Sequence, residues 1–169
     1  MSFLNFFKNN PESEIKKYSN LYHKLEKEFP ELDENELILS SCISGLYARV
    51  AYVDFDLDDL ELKKIEELIS NWNFGNNLSS STLAKMSIDH IKEMAGLENH
   101  LYVYPLKNKL NAEDKFNVLK SLFLVAAADG SVDSIESEEI RLITKGLELS
   151  NQHFIAARAE VADFLKALK

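Results

Sequence analysis

The chain has 169 residues, 46% of them apolar and 28% charged, which excludes intrinsic disorder and supplies enough apolar surface for one core without staples. Its net charge of −9 excludes binding dominated by phosphate, so nucleic acid and anionic membrane are poor partners, and a cation or a basic protein patch is the better match. The single cysteine, Cys42, excludes a disulfide within the chain and fits a reducing, cytoplasmic setting.

Residues 1–10 lack the basic start and long apolar core of a secretory signal. Phe3, Leu4, Phe6 and Phe7 suit a short amphipathic segment docked on the chain's own core, or else on a membrane or partner. No run approaches 18 apolar residues, so no transmembrane helix is expected. Pro11 at a first helical position, with Glu12 and Glu14 behind it, predicts a helix over 11–29 that Pro30 ends. Ile15, Tyr18, Leu21, Tyr22, Leu25 and Phe29 recur along it at helical spacing.

Asp33 and Glu36 form a start signal for a second helix, with Leu39, Ile43, Leu46, Val50 and Val53 on one stripe. An acidic turn over 54–58 interrupts it. Asp58 then caps a third helix carrying Leu62, Ile65, Ile69 and Trp72. A polar loop follows over 73–81, then a helix over 82–95 with Gly96 placed to end it. Residues 97–110 read as loop plus a short helix, because Leu101, Tyr102, Val103 and Tyr104 are strand-like, Pro105 follows, and a lone strand would have no partner. Asn111 caps a helix through Ala128 whose stretch over 122–128 is apolar all round, as suits a helix in the middle of a bundle. Asp133 with Glu136 starts the next helix, and Ser150 caps the last, with Phe154, Val161, Phe164, Leu165 and Leu168 on one side. Five glycines and three prolines favour long helices over many short strands. The sum is an all-α bundle of about seven helices in a single domain over 1–169, with 1–30 an N-terminal helical extension.

An internal repeat organises this bundle. Val50, Ala51, Asp54, Asp58, Glu61 and Ile65 recur as Val125, Ala126, Asp129, Asp133, Glu136 and Ile140, 75 positions later, and Leu57, Leu60 and Leu68 match Val132, Ile135 and Ile143 in kind. One helix–turn–helix unit used twice gives pseudo-symmetric halves. The six repeated acids, Asp54, Asp58, Glu61, Asp129, Asp133 and Glu136, are hard oxygen ligands of the kind that suits Ca2+ or Mg2+. Asp56 and Ser131 lie in the same turns and could add oxygens.

A second reading explains four of the six without metal. Asp58 with Glu61 and Asp133 with Glu136 are capping boxes, each cap contributing about 1 kcal/mol, and the positive helix N-terminus opposes a cation. Asp54 and Asp129 then serve as Asx-turn formers. An EF-hand is excluded in both copies, since its closing glutamate is replaced by Ile65 and Ile140 and its glycine by Asp59 and Ser134. His23, His90, His100 and His153 are scattered without a zinc spacing and read as surface or satisfied side chains. Cys42 reads as buried, inert packing. There is no glycine-rich phosphate loop and no serine nucleophile elbow.

The segment 127–136, with Ala127, Ala128, Asp129, Gly130, Asp133 and Glu136, followed by Ile140, resembles the signature of the tellurite-resistance TerB-like family: an apolar helix ending in Ala-Asp-Gly, a small linker, an acid and a glutamate. The copy over 53–61 is similar to that family's first, less regular half, with Phe55 where the family prefers glycine. The resemblance covers about residues 37–72 and 112–168. It implies an all-helical domain with pseudo-symmetric halves, a bacterial, cytoplasmic stress or tellurite-response setting, and a divalent-metal site at the six repeated acids. It implies no catalytic activity. The expectation is a non-enzymatic module that binds a divalent cation and a protein partner. The alternative is a structural or adaptor protein whose acids are caps and turn formers. An enzyme using paired carboxylates stands third, since nothing beyond carboxylates is present to bind a substrate.

Overall fold

A computed structural model describes residues 19–72, 74–75, 78–94 and 100–162. Eight helices follow in order: α1 (Asn20–Glu28), α2 (Glu34–Ala51), α3 (Asp59–Ser70), α4 (Ser80–Glu93), α5 (His100–Lys109), α6 (Ala112–Ala126), α7 (Ser134–Gly146) and α8 (Asn151–Ala159). Val132 makes an isolated bridge, and no strand forms among the described residues. The all-α class expected from the periodicity is the observed one. The Phe-rich start, Gly96 and the stripe beyond residue 162 lie outside the described residues.

Of the helix expected over 11–29, the part over 11–18 lies outside the described residues, and the described part starts at Asn20 with Ser19 as its cap. That residue is extended (φ −87°, ψ 106°), and its hydroxyl accepts from the Tyr22 N–H to cap α1. A serine competes well for a free N–H, so it ends or starts helices more readily than it continues them. Residues 20–28, expected as the tail of an extension, belong to the core: Leu21 and Leu25 are fully buried in the cluster that reaches Val161.

The middle of the bundle is α2, not α6, whose apolar stretch over 122–128 suggests that place. Helix α2 packs on α1, α3, α4, α5, α6 and α7, whereas α6 leaves Leu124 exposed. Small residues decide this. Ser40, Ser41, Ser44, Gly45 and Ala48 let neighbours approach α2 closely, and all are buried. The serine hydroxyls donate to carbonyls of their own helix, Ser44 Oγ to Ser40 O at 2.6 Å, so their burial leaves no orphan donor. Ser87 of α4 donates to Ser44 Oγ at 2.8 Å across the seam.

The segment 97–110 holds more helix than expected. Helix α5 runs for ten residues straight through Pro105. Pro105 removes one helical N–H, but Tyr102, Val103 and Leu106 are buried against α2 and α7. Tertiary burial overrides local propensity here, and the residues that look strand-like are simply core residues. The Tyr102 ring lies over Gly45, where an added Cβ would sit 2.7 Å from Cε1.

Two polar features sit inside this core. Arg49 Nε of α2 donates to Glu139 Oε1 of α7 at 2.8 Å, with Glu139 only 8% exposed, tying the two halves together. Cys42 is fully buried, and desolvation pushes its thiol far up, so it is inert packing as expected.

Candidate functional site

The two acidic turns are built on the same plan. Helix α2 ends with the Tyr52 N–H on Ala48 O, and α6 with the Ala127 N–H on Phe123 O. The chain then steps through a left-handed residue at Phe55 (φ 68°) and Gly130 (φ 100°). Asp54 Oδ1 accepts the Asp56 N–H at 3.0 Å, and Asp129 Oδ1 accepts the Ser131 N–H at 2.8 Å. Both are Asx-turns, which fold the linker locally. Phe55 in place of glycine therefore keeps the same backbone step, at φ 68° rather than the φ 100° that glycine adopts in the second turn.

Each turn closes on a complete capping box. Asp58 Oδ1 accepts the Leu60 N–H at 2.6 Å, and Glu61 Oε2 accepts the Asp58 N–H at 2.9 Å. In the second copy, Asp133 Oδ1 accepts the Ile135 and Glu136 N–H groups, and Glu136 Oε2 accepts the Asp133 N–H at 2.9 Å. Leu57 and Val132 turn inward onto the core, which lays the acids on the opposite, outer side of each turn.

The fold brings both turns to one place. Asp54, Asp56, Asp58 and Glu61 from the first, with Asp129, Asp133 and Glu136 from the second, line a single cavity of about 170 Å³ together with Leu57. All six acids singled out from the repeat are there. Asp56 joins them, as the sequence allowed. Ser131 does not line the cavity; its hydroxyl is turned to Asp129 Oδ1 at 3.3 Å. The convergence is invisible in either turn alone, because it depends on how α3 and α7 sit around α2.

The electrostatics follow from the crowding. Glu61 and Glu136 are 6% and 8% exposed, while Asp54, Asp58 and Asp129 face water. Burial pushes the Glu61 carboxyl up to about 7, with Asp129, Asp54 and Asp58 adding repulsion against the bond from its cap N–H. Burial likewise pushes Glu136 up to about 8, with Asp133, Glu61 and Asp129 adding to it. Each glutamate thus feels acids of the other turn. The N-termini of α3 and α7 offset part of this negative field.

The donor set is hard oxygen throughout, which fits Ca2+ or Mg2+ and not a soft metal. As placed, however, no three of the described His, Cys, Asp or Glu side chains are gathered closely enough to hold an ion. The cap bonds hold the carboxylates apart along their own turns, so coordination requires inward rotation of several side chains.

The histidine expectation needs correction. His23 and His153 are exposed, but His90 is fully buried and neither ring nitrogen has a hydrogen-bond partner among the described residues. Periodicity places His90 on α4 without revealing that α1, with Lys24, packs against that helix.

A family model described as tellurite resistance protein TerB matches residues 41–159. The match spans both acidic turns and also the stretch between them that the motif resemblance left out. No curated protein and no solved structure is similar enough to the chain to match.

Proposed function

The chain belongs to the tellurite resistance TerB family, and from that premise we propose that the acid pocket is its working site, a non-enzymatic binding site for a hard divalent cation. The observation that carries the reading is convergence: acids 75 positions apart, on two separate turns, line one cavity. Acids needed only as caps have no reason to face one another, since each box is complete within its own turn. Crowding of seven carboxylates is unfavourable without a counter-charge, and a dication supplies one. The lining offers no hydroxyl, thiol or imidazole among the described residues, which supports binding over a reaction.

In this reading Asp54 and Asp129, free of cap duty, are the first ligands. Glu61 and Glu136 deprotonate as the ion enters. The cation bridges the first and second halves and stabilises the bundle by mass action. A protein partner with a basic surface, in a bacterial cytoplasmic stress or tellurite response, is the setting we propose. No described helix is long and apolar enough to cross a membrane.

Melting curves test it. The midpoint should rise with millimolar Ca2+ or Mg2+ and stay put with an equal ionic strength of NaCl. No rise with either ion removes the cation.

A second reading has its own support: the two complete capping boxes and Asx-turns, and the absence of a gathered metal triad among the described residues. In it the module is a structural or adaptor protein and the acids only fold its turns. Removing the charges of Asp54 and Asp129 as asparagines, which keep turn chemistry, should then change neither stability nor partner binding.

A further inference from the structure

A neutral imidazole carries one N–H and one lone pair, and a buried polar group without a partner costs stability. His90 leaves both unmet among the described residues. It stands on α4, the helix against which α1 lies, and the α1–α4 seam is tied at its edge by Lys24 Nζ donating to Glu93 Oε2 at 2.7 Å. We propose that this seam is an acid-sensitive latch, in which a proton taken up by His90 loosens α1 from the bundle.

Among the described residues, none offers the imidazolium a free counter-charge. From α1, Lys24 repels it, and from its own helix Glu93 attracts it but is already held by Lys24. Lys92 of α4 lies over the Tyr52 ring, 5.5 Å from its centroid. From α2, the contact with α4 is the neutral Ser44–Ser87 pair, and burial keeps Cys42 and Tyr47 uncharged. From α3, Glu66 bonds Ser81 at the opposite end of α4. Burial, then Lys24, therefore holds His90 below the ordinary histidine value. The native seam thus binds the proton less readily than the open one, so it is intact above the ordinary value and weakens as pH falls below it. Helix α1 is the element that gives way. It is nine residues long and packs on α2 and α4, whereas α4 is held by α2 and α3 as well.

The test uses the full chain. Proton NMR follows the His90 ring through a pH titration, and amide hydrogen exchange compares α1 with α6 at about pH 7.5 and about pH 5, corrected for intrinsic rates. The latch requires a ring titrating below about 6.5 and a loss of α1 protection in acid several-fold larger than that of α6. His90→Gln and His90→Leu should abolish that excess. A ring titrating at or above the ordinary value, equal loosening of α1 and α6, or acid loosening that persists in the variants overturns the proposal. If neither variant folds, the wild-type titration and exchange decide it alone. None of these outcomes depends on a cation in the acid pocket.

Discussion

Glu61 and Glu136 stand in one pocket, each the third residue of its helix and each accepting the N–H of its own cap through Oε2 at 2.9 Å. Their burial raises both well above the usual carboxylate range, to about 7 and about 8. Between the unfolded value near 4.3 and these raised values, the native state binds more protons than the unfolded chain. Their contribution is full below the unfolded value and is lost as pH rises through about 7 to 8.

Without divalent cation, stability should accordingly fall between about pH 5 and about pH 8. Glu61→Gln and Glu136→Gln keep a carbonyl to accept the cap N–H but cannot ionise. Each should flatten that fall and raise stability at the alkaline end by about 1–2 kcal/mol, after discounting for solvent screening at a pocket open to water. Urea unfolding at the two pH values checks it. Wild type and variants with parallel pH dependence would show that the two carboxyls are not displaced as described.

The Gly45 position inverts an ordinary rule. Glycine to alanine inside a helix usually stabilises by about 1 kcal/mol. At Gly45 the added methyl would meet Tyr102 Cε1 at 2.7 Å, and that ring is fully buried. Gly45→Ala should destabilise by about 1–3 kcal/mol, read as a lower denaturation midpoint at unchanged slope. A stabilised variant would mean that α5 does not lie against α2 as described.

The pair Arg49–Glu139 joins α2 to α7. Glu139→Ala strands a guanidinium that keeps some exposure, so the cost should fall at about 2–4 kcal/mol, near the low end for a broken buried pair. The double variant Arg49→Met with Glu139→Leu should recover most of it. A double-mutant cycle with no coupling would contradict a direct contact.

What the sequence reveals and what it hides divide along range. The acid turns are legible because every bond in them spans three residues or fewer: Asp54 to Asp56, Asp58 to Leu60, Glu61 to Asp58. Their convergence is a tertiary fact, and the repeat only hints at it. The central place of α2 is hidden because serines and a glycine score as polar or small, yet they permit the closest packing. Helix α5 is hidden because Tyr102 and Val103 look like strand residues when their burial is unknown. The orphaned imidazole of His90 is hidden because its burial is set by elements far away in the chain, whereas the cap at Ser19 is local, its hydroxyl meeting the Tyr22 N–H three residues on, and is hidden only because a serine can sit inside a helix as well as start one.

On this proposal two turns make one cation site. Calorimetric titration of Ca2+ and of Mg2+ into the full chain, beside the Asp54→Asn, Asp129→Asn double variant, tests it most directly. The wild type should bind one ion per chain, the double variant should bind more weakly by about tenfold or more (about 1.4 kcal/mol per tenfold), and each single variant should show an intermediate loss. No binding heat in the wild type, or binding untouched by the double substitution, would contradict it.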